Sequence, residues 1–218
     1  MLRGVIFDVD GTLVASNDAH AQSWVDTLSE TGYEVSFDVV RPMIGMGGDK
    51  VLPAIAGIES ESPEGKKLSK RRWEIFEQKY LPRLKPTPGA RALVQRLSDD
   101  GLKLVVATSA GGSEIGVLLE AAGVADLMDE ATSSSDAEDS KPDPDIVQAA
   151  VRKSGLDPDE LVMIGDTPYD VEAATGAHVK LIGLLCGGWR KEELSGAIAI
   201  YDDPADLLRW YEESATML

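Results

Sequence analysis

The sequence lacks the features that mark secreted, membrane and nucleic-acid-binding chains. It has one cysteine, Cys186, so no intrachain disulfide can form. It has 21 basic against 38 acidic residues, and a net charge of −17 makes it a poor ligand for nucleic acid or an anionic membrane. No apolar run is long enough to span a bilayer, and the N-terminus has no signal-peptide pattern. We therefore expect a soluble, cytoplasmic protein with neither nucleic acid nor membrane as partner.

The chain has no internal repeat, but its character changes along its length. Residues 17–80 predict helices without strands, with Ser16 or Asn17 as the first cap. Segment 81–89 holds three prolines and is typical of a hinge. Beyond it, strands alternate with helices, which is typical of a mainly parallel sheet covered on both faces.

These patterns predict an α/β fold: a doubly wound, Rossmann-like parallel sheet with a helical cap inserted after the first strand. Residues 1–15 and 84–218 would form the catalytic core, and residues 16–83 the cap. After the hinge we predict strands over 102–107, 161–164 and 179–184, with a weaker one near 130–134. The predicted core helices are 90–97, 114–122, 144–153, 169–175 and 204–210.

The first strand ends in an unusual way. An apolar run from Val5 is followed by Asp8 and Asp10, and then by Gly11 and Thr12. Unpaired carboxylates beside an apolar core are strongly disfavoured, so a positive group must compensate them. Mg²⁺ prefers carboxylate and carbonyl oxygens, so we expect a magnesium site here.

Other polar residues fall where further strands end. Thr108 and Ser109 follow the second predicted strand, Lys141 comes just before a helix, and Asp166 and Asp170 follow a later strand. Ligands of open parallel sheets bind beyond the carboxyl ends of the strands. Carboxylates, hydroxyls and a lysine at one sheet edge can hold a phosphoryl group together with a divalent cation.

In this order, the four motifs resemble those of the haloacid dehalogenase superfamily, in the phosphatase branch with a helical cap. The motifs are Asp-x-Asp-Gly-Thr at residues 8–12, Thr108, Lys141 and Gly-Asp-x-x-x-Asp at residues 165–170. The resemblance extends to phosphoglycolate phosphatases and β-phosphoglucomutases. It implies an Mg²⁺-dependent phosphatase that hydrolyses a small phosphorylated metabolite, phosphoglycolate- or sugar-phosphate-like, through an aspartyl-phosphate. The expected partner is a small phosphate ester, and the expected state a monomer or homodimer.

The resemblance also implies roles for the first motif and for Lys141. Asp8 would be the nucleophile and a metal ligand. Asp10 would protonate the leaving alcohol, then activate water, while its backbone carbonyl binds Mg²⁺. Lys141 would neutralise the phosphoryl charge and bind phosphate. The superfamily's dehalogenases lack the second aspartate, so Asp10 argues for phosphoryl transfer.

The remaining motif residues would bind phosphate and metal. Thr108 would donate to the phosphoryl oxygens, and Ser109 is a second candidate donor. Asp166 would be a metal ligand, and Asp170 a second ligand or a holder of metal-bound water.

Two cap residues are candidates for substrate contacts. His20 would orient Asp10 or touch substrate, although a helical histidine packed without a role is equally compatible. Lys50, on a glycine-rich loop, is the candidate to bind the substrate's second anionic or hydroxyl group. A solvated lysine at the start of a helix is the alternative. The mutases carry an arginine in this loop where this chain has Gly48, which disfavours a phosphosugar mutase.

The sequence leaves two alternatives open. One is a phosphosugar mutase of the β-phosphoglucomutase type. The other is a phospho-accepting regulatory module, because receiver domains also combine an aspartate, a hydroxyl residue, a lysine and Mg²⁺. They lack a long helical insert and a second aspartate two residues after the acceptor.

Overall fold

The computed structural model describes residues 1–215, so residues 216–218 of the predicted core lie outside the described part. It contains a six-stranded sheet in the order β3-β2-β1-β4-β5-β6, in which every neighbouring pair is parallel. The strands are β1 (Gly4–Phe7), β2 (Lys103–Ala107), β3 (Glu130–Thr132), β4 (Leu161–Gly165), β5 (Lys180–Leu184) and β6 (Ala199–Tyr201). The predicted doubly wound α/β fold is confirmed.

The central strand is β1, between β2 and β4. All four of its residues are buried, as expected for a parallel strand that has helices on both faces. Successive side chains point to opposite faces of a strand. Accordingly, Val5 and Phe7 join one apolar cluster, and Ile6 joins the other.

Nine helices accompany this sheet within residues 1–215. They are α1 (Asn17–Glu30), α2 (Phe37–Val40), α3 (Gly48–Ala56), α4 (Pro63–Ile75), α5 (Ala90–Asp99), α6 (Gly112–Ala122), α7 (Asp145–Ser154), α8 (Pro168–Gly176) and α9 (Pro204–Ala215). Apolar residues of α5, α6 and α9 pack on the Phe7 face, and those of α7 and α8 on the Ile6 face. Within the described residues, none of these helices combines the length and the apolarity needed to cross a membrane.

Helices α1–α4, here called the cap, have an apolar cluster of their own. It includes Trp24, Leu28, Leu52 and Leu68, all buried. Burying a side chain of this size contributes roughly 2 kcal/mol, so the cap has a substantial core without the sheet. The boundaries at residues 15/16 and 83/84 stay a prediction.

Three details differ from the sequence-based expectation. Strand β6, only three residues long and half-buried, gave no pattern strong enough to predict. Helix α4 ends at Ile75, and the chain then forms a π-helical turn over Phe76–Tyr80. Pro82, which lacks a backbone donor, then lies in a short 3₁₀ turn at the start of the hinge.

Candidate active site

The residue after β1, Asp8, is held in the sheet by its backbone and by a buried lysine. Its N–H donates to the Ile164 carbonyl at 2.9 Å. Lys141 Nζ lies 2.5 Å from Asp8 Oδ1 and 2.7 Å from Asp170 Oδ1. Burial alone would lower the pKa of the Lys141 ammonium, but Asp170 and Asp8 outweigh it and raise that pKa. Lys141 is therefore a permanent cation fixed between two carboxylates.

Asp8, Asp166 and Asp170 form the one described group of buried carboxylates that could hold a metal ion. One oxygen from each lies within 4.8 Å of the others. Burial, reinforced by Asp170, raises the pKa of Asp166 to about 7. Burial also raises the pKa of Asp8 well above its usual value, although Lys141 opposes this. One ammonium does not balance three buried carboxylates, and a hard, oxygen-preferring cation fits this donor set.

The Asp166 carboxylate is oriented by residues from the first motif and the start of the cap. Thr12 Oγ1 donates to Oδ1 at 2.8 Å, and Asn17 Nδ2 donates to Oδ2 at 2.9 Å. A Cβ atom at Gly187 would clash with this carboxylate, so only glycine fits there. Sequence reasoning missed Asn17 and Gly187 as partners of Asp166. Asn17 lies 149 residues before Asp166, and Gly187 lies beyond it in the turn that follows β5, so no local spacing relates them.

Asp170 lies on the first turn of α8, where it also caps that helix. Its Oδ2 accepts from the Thr167 N–H at 3.0 Å and from Thr167 Oγ1 at 2.7 Å, while Oδ1 faces Lys141. The two carboxylate oxygens of Asp170 therefore have different partners. Oδ2 fixes the side chain on α8, and Oδ1 pairs with Lys141.

Asp10 is held by Ser16, which precedes α1, and by His20 within that helix. Its Oδ1 accepts from Ser16 Oγ at 2.5 Å and contacts His20 Nε2 at 2.8 Å. Burial alone would raise the pKa of Asp10, but His20 and the hydrogen bond from Ser16 hold it below its usual value. Ser16 occupies the predicted cap position of α1, yet its hydroxyl makes no cap bond and serves Asp10 instead.

The tautomer of His20 follows from its second contact. Arg72 Nη1, on α4, lies 3.0 Å from His20 Nδ1. A guanidinium can only donate, so Nδ1 must be an acceptor, and Nε2 carries the proton donated to Asp10. Arg72 Nη2 also donates to both oxygens of Glu114 on α6, at 3.0 and 3.2 Å. A chain of contacts thus joins the core to Asp10 through two cap helices.

Sequence reasoning missed Arg72 and Glu114 in this chain. Both look like ordinary charges on amphipathic helices. Arg72 lies 52 residues from His20 and 42 from Glu114, so no local spacing marks them. His20 itself was a candidate, and its ring stacks on Phe76 with the centroids 4.2 Å apart.

The predicted phosphate-binding hydroxyls lie at the end of β2. Thr108 is buried, and its hydroxyl accepts from the Ala110 N–H at 3.1 Å. Ser109 Oγ donates to the Gly45 carbonyl of the cap at 3.4 Å. Both residues line a cavity of about 470 Å³ between cap and core, together with Asp8 and Asp10.

The structure brings all but one of the predicted site residues to this edge of the sheet. Asp8, Asp10, His20, Thr108 and Ser109 line the cavity, and Lys141, Asp166 and Asp170 lie around Asp8. Lys50 is the exception: it does not line the cavity, and its ammonium pairs with Asp143 on the loop that carries Lys141. The catalytic, phosphate-binding and substrate roles stay predictions.

Comparison with known proteins gives consistent matches. The family described as haloacid dehalogenase-like hydrolase matches residues 5–184. A phosphoglycolate phosphatase from Rhodospirillum rubrum is 31% identical over 219 residues, which covers 96% of this chain and 91% of that protein. The crystal structure of a hydrolase from Pseudomonas syringae is 31% identical, with a TM-score of 0.88 over 97% of this chain and 98% of that one.

A further relative is the Arabidopsis thaliana protein named Suppressor of Quenching 1, chloroplastic. It is 36% identical over 190 residues, or 84% of this chain, and the chain spans 18% of that protein's length. The matches favour an enzyme over the regulatory module.

Proposed function

Because the chain belongs to the haloacid dehalogenase-like hydrolases and is a phosphatase of that family, we propose that it is an Mg²⁺-dependent phosphatase acting through an aspartyl-phosphate on Asp8. Its substrate is a small phosphorylated metabolite of the phosphoglycolate or sugar-phosphate kind. The name of the Rhodospirillum rubrum relative supports this substrate range.

The observation that carries the proposal is the different surroundings of Asp8 and Asp10 within one cavity. Asp8 pairs with a buried ammonium, and two further carboxylates have an oxygen within 4.8 Å of one of its own, which suits a nucleophile beside a metal. Asp10 contacts only a hydroxyl and an imidazole among the described side chains, which suits proton transfer. Two neighbouring carboxylates in contrasting environments are a recurring pattern in acid–base assignment.

The chain's own residues can hold the metal. Asp8, Asp166 and Asp170 would contribute carboxylate oxygens, with the Asp10 carbonyl as a further candidate. When bound, Mg²⁺ supplies positive charge against the phosphoryl oxygens and the clustered carboxylates.

In the first step an Asp8 oxygen attacks phosphorus, the ester P–O bond breaks, and the alcohol leaves with a proton from Asp10. Lys141 offsets the charge of the reacting groups, and Thr108 donates to the phosphoryl oxygens. A bound phosphate dianion raises the pKa of a neighbouring carboxyl, so substrate itself favours the protonated Asp10 that this step needs.

In the second step water attacks the phosphoryl group on Asp8, and Asp10 takes a proton from that water. The Asp8–phosphorus bond breaks, which releases inorganic phosphate and restores the Asp8 carboxylate. With its pKa held down by His20 and Ser16, Asp10 is in the ionised form that can accept this proton.

The test is phosphate release from a panel of phosphate monoesters, with Mg²⁺ and with EDTA. We expect metal-dependent turnover, and a phosphoenzyme that is labile to hydroxylamine after rapid quenching. Absence of metal-dependent turnover on every ester would contradict the proposal. Turnover without a trappable phosphoenzyme would remove the Asp8 intermediate.

A further inference from the structure

The walls of the active-site cavity carry an unusual set of charges. Beyond the reacting Asp8 and Asp10, the ionised lining residues are Asp49, Glu61, Glu114, Glu138, Lys66 and Arg72. Among these six residues the four carboxylates outnumber the two cations.

Both of these cations already have carboxylate partners. Arg72 is paired with Glu114 at 3.0 Å, with both side chains almost buried, and it also donates to His20. Lys66 is paired with Glu61 at 3.0 Å in a more exposed position. Neither Asp49 nor Glu138 has a cation partner among residues 1–215; Asp49 accepts only from Ser140 Oγ, at 2.9 Å.

The other two lysines of the region do not change this balance. Lys50 pairs with Asp143 and does not line the cavity. Lys141 is held between Asp8 and Asp170, where the transferring phosphoryl group needs it. A second anion on the substrate would therefore meet two exposed carboxylates that have no cation partner, and no cation without a carboxylate partner, among the described lining residues.

The uncharged part of the lining suits hydroxyl groups. Five serines line the cavity: Ser60, Ser69, Ser109, Ser134 and Ser140. A serine hydroxyl both donates and accepts hydrogen bonds, so it can pair with a substrate hydroxyl that acts as acceptor or as donor. Trp24 and Val51 add an apolar wall against which carbon atoms can pack.

We propose that the leaving group is a neutral, hydroxyl-bearing alcohol, and that the cavity discriminates against esters carrying a second anion. The inference rests on the proposed phosphatase function and narrows its substrate class. It sets this chain apart from the activity in the name of its Rhodospirillum rubrum relative, because phosphoglycolate carries a carboxylate. It also disfavours a mutase cycle, in which a bisphosphate must sit across the cavity.

The most direct test compares esters that differ only in this charge. 2-Hydroxyethyl phosphate and 2-phosphoglycolate are nearly isosteric, and so are glycerol 3-phosphate and 3-phosphoglycerate. Since like charges brought together at a binding site are costly, we expect kcat/KM to favour the hydroxyl member of each pair by about tenfold or more. Raising the ionic strength should reduce this preference.

Variants identify the responsible groups. Asp49→Asn and Glu138→Gln should each reduce the hydroxyl-over-carboxylate ratio about threefold, because each removes one uncompensated charge. Asp159→Asn is the matched control: it removes the same charge at an exposed turn before β4, at the opposite end of the strand from Asp166, and should leave the ratio unchanged. Lys66→Gln should increase the ratio.

The outcomes distinguish failure of the proposed leaving-group preference from failure of the proposed phosphatase function. Equal or better hydrolysis of the carboxylated esters would overturn the inference while leaving the phosphatase function intact. The inference would also fail if Asp49→Asn and Glu138→Gln changed the hydroxyl-over-carboxylate ratio of kcat/KM no more than Asp159→Asn does. Failure to hydrolyse any member of either pair, or any other monoester, would reject the proposed function and this inference with it.

Discussion

Asp8 and Asp10 are separated by one residue but are held by different parts of the molecule. Lys141, which pairs with Asp8, and Asp166 and Asp170, which form the carboxylate group with it, all come from the core. Asp10 is held instead by Ser16 and by His20 of the cap. The pKa of Asp8 is raised, chiefly by burial, whereas that of Asp10 is lowered because its hydrogen-bond donors outweigh burial.

The sheet therefore positions the proposed nucleophile, whereas the cap completes the surroundings of the proposed acid–base group. Substitutions at the two carboxylates should therefore differ in their consequences. Changes at His20 and Arg72 of the cap should act through Asp10 and leave Asp8 chemistry intact.

The largest effect is expected at Asp8. Asp8→Asn should lower kcat by more than about 10³-fold, since an amide cannot form the phosphoenzyme. The fold should persist, because the substitution is isosteric and removes a buried charge. Phosphate release and far-UV circular dichroism measure the two effects. Residual activity near wild type would exclude Asp8 as the nucleophile.

Asp10→Asn should reduce turnover of an alkyl phosphate by about 10²- to 10⁴-fold, as expected for loss of a general acid–base group. p-Nitrophenolate needs no proton to leave, so the first step on p-nitrophenyl phosphate should survive. Rapid-mixing kinetics should then show a burst of one nitrophenolate per enzyme before slow turnover. A burst lost from Asp10→Asn would assign Asp10 to the first step for every ester, and the comparison with Asp8 would fail.

Arg72→Gln tests whether the cap acts through His20. We expect turnover to fall about ten- to a hundredfold through misorientation of Asp10. The chain has only two histidines, so ¹⁵N-histidine NMR can follow the His20 tautomer, with a His178→Asn control for assignment. The Nε2–H tautomer should dominate in wild type and lose its dominance in Arg72→Gln.

A charge swap separates the His20 contact from the Arg72–Glu114 ion pair. Arg72→Glu with Glu114→Arg can restore an ion pair between α4 and α6, but a glutamate at 72 cannot donate to His20 Nδ1. We expect no rescue of turnover. Full rescue would mean that the residues only hold the cap on the core.

Metal should stabilise the carboxylate cluster around Asp8 in a pH-dependent way. The pKa of Asp166 is raised to about 7, so without metal its contribution to stability is present below about pH 4 and is lost as pH rises through 7. Mg²⁺ binds the deprotonated form and restores it. We expect Mg²⁺ to raise Tm by about 5 °C or more at pH 8, and by much less at pH 5.5.

The matched comparison is the Asp166→Asn variant, measured with Mg²⁺ and with EDTA at both pH values. The metal-induced shift should shrink strongly, and the fall in Tm with pH in EDTA should be smaller. An unchanged metal response would place the ion elsewhere.

The smallest effect is expected at Lys50. Its pairing with Asp143 is partly exposed, so Lys50→Ala should raise KM by only about two- to fivefold. The increase should be similar for all esters, because the ammonium joins the cap to the Lys141 loop and does not line the cavity. A selective effect on one ester would restore Lys50 as a substrate contact.

Much of the fold and of the Asp8 side of the site could be predicted from local patterns. The buried run before Asp8 and the strand before Asp166 indicate parallel strands, and parallel strands bring their carboxyl ends to one edge. The Asp10 side was less accessible. His20 was a candidate, but Arg72 and Glu114 have no local signature, since their relation to it depends on how α4 packs against α1 and α6.

The convergence of carboxylates and hydroxyls at one sheet edge could be predicted from the sequence, because alternating strands and helices indicate a parallel sheet whose strands end at one edge, and the order of the four motifs added Lys141 to that group. Three properties follow from the packing of distant segments: the contrasting surroundings of Asp8 and Asp10, the pairing of Lys50 with Asp143, and the carboxylates without cation partners in the cavity wall. These properties depend on distances between residues far apart in the chain, and electrostatic energies depend on such distances and on burial.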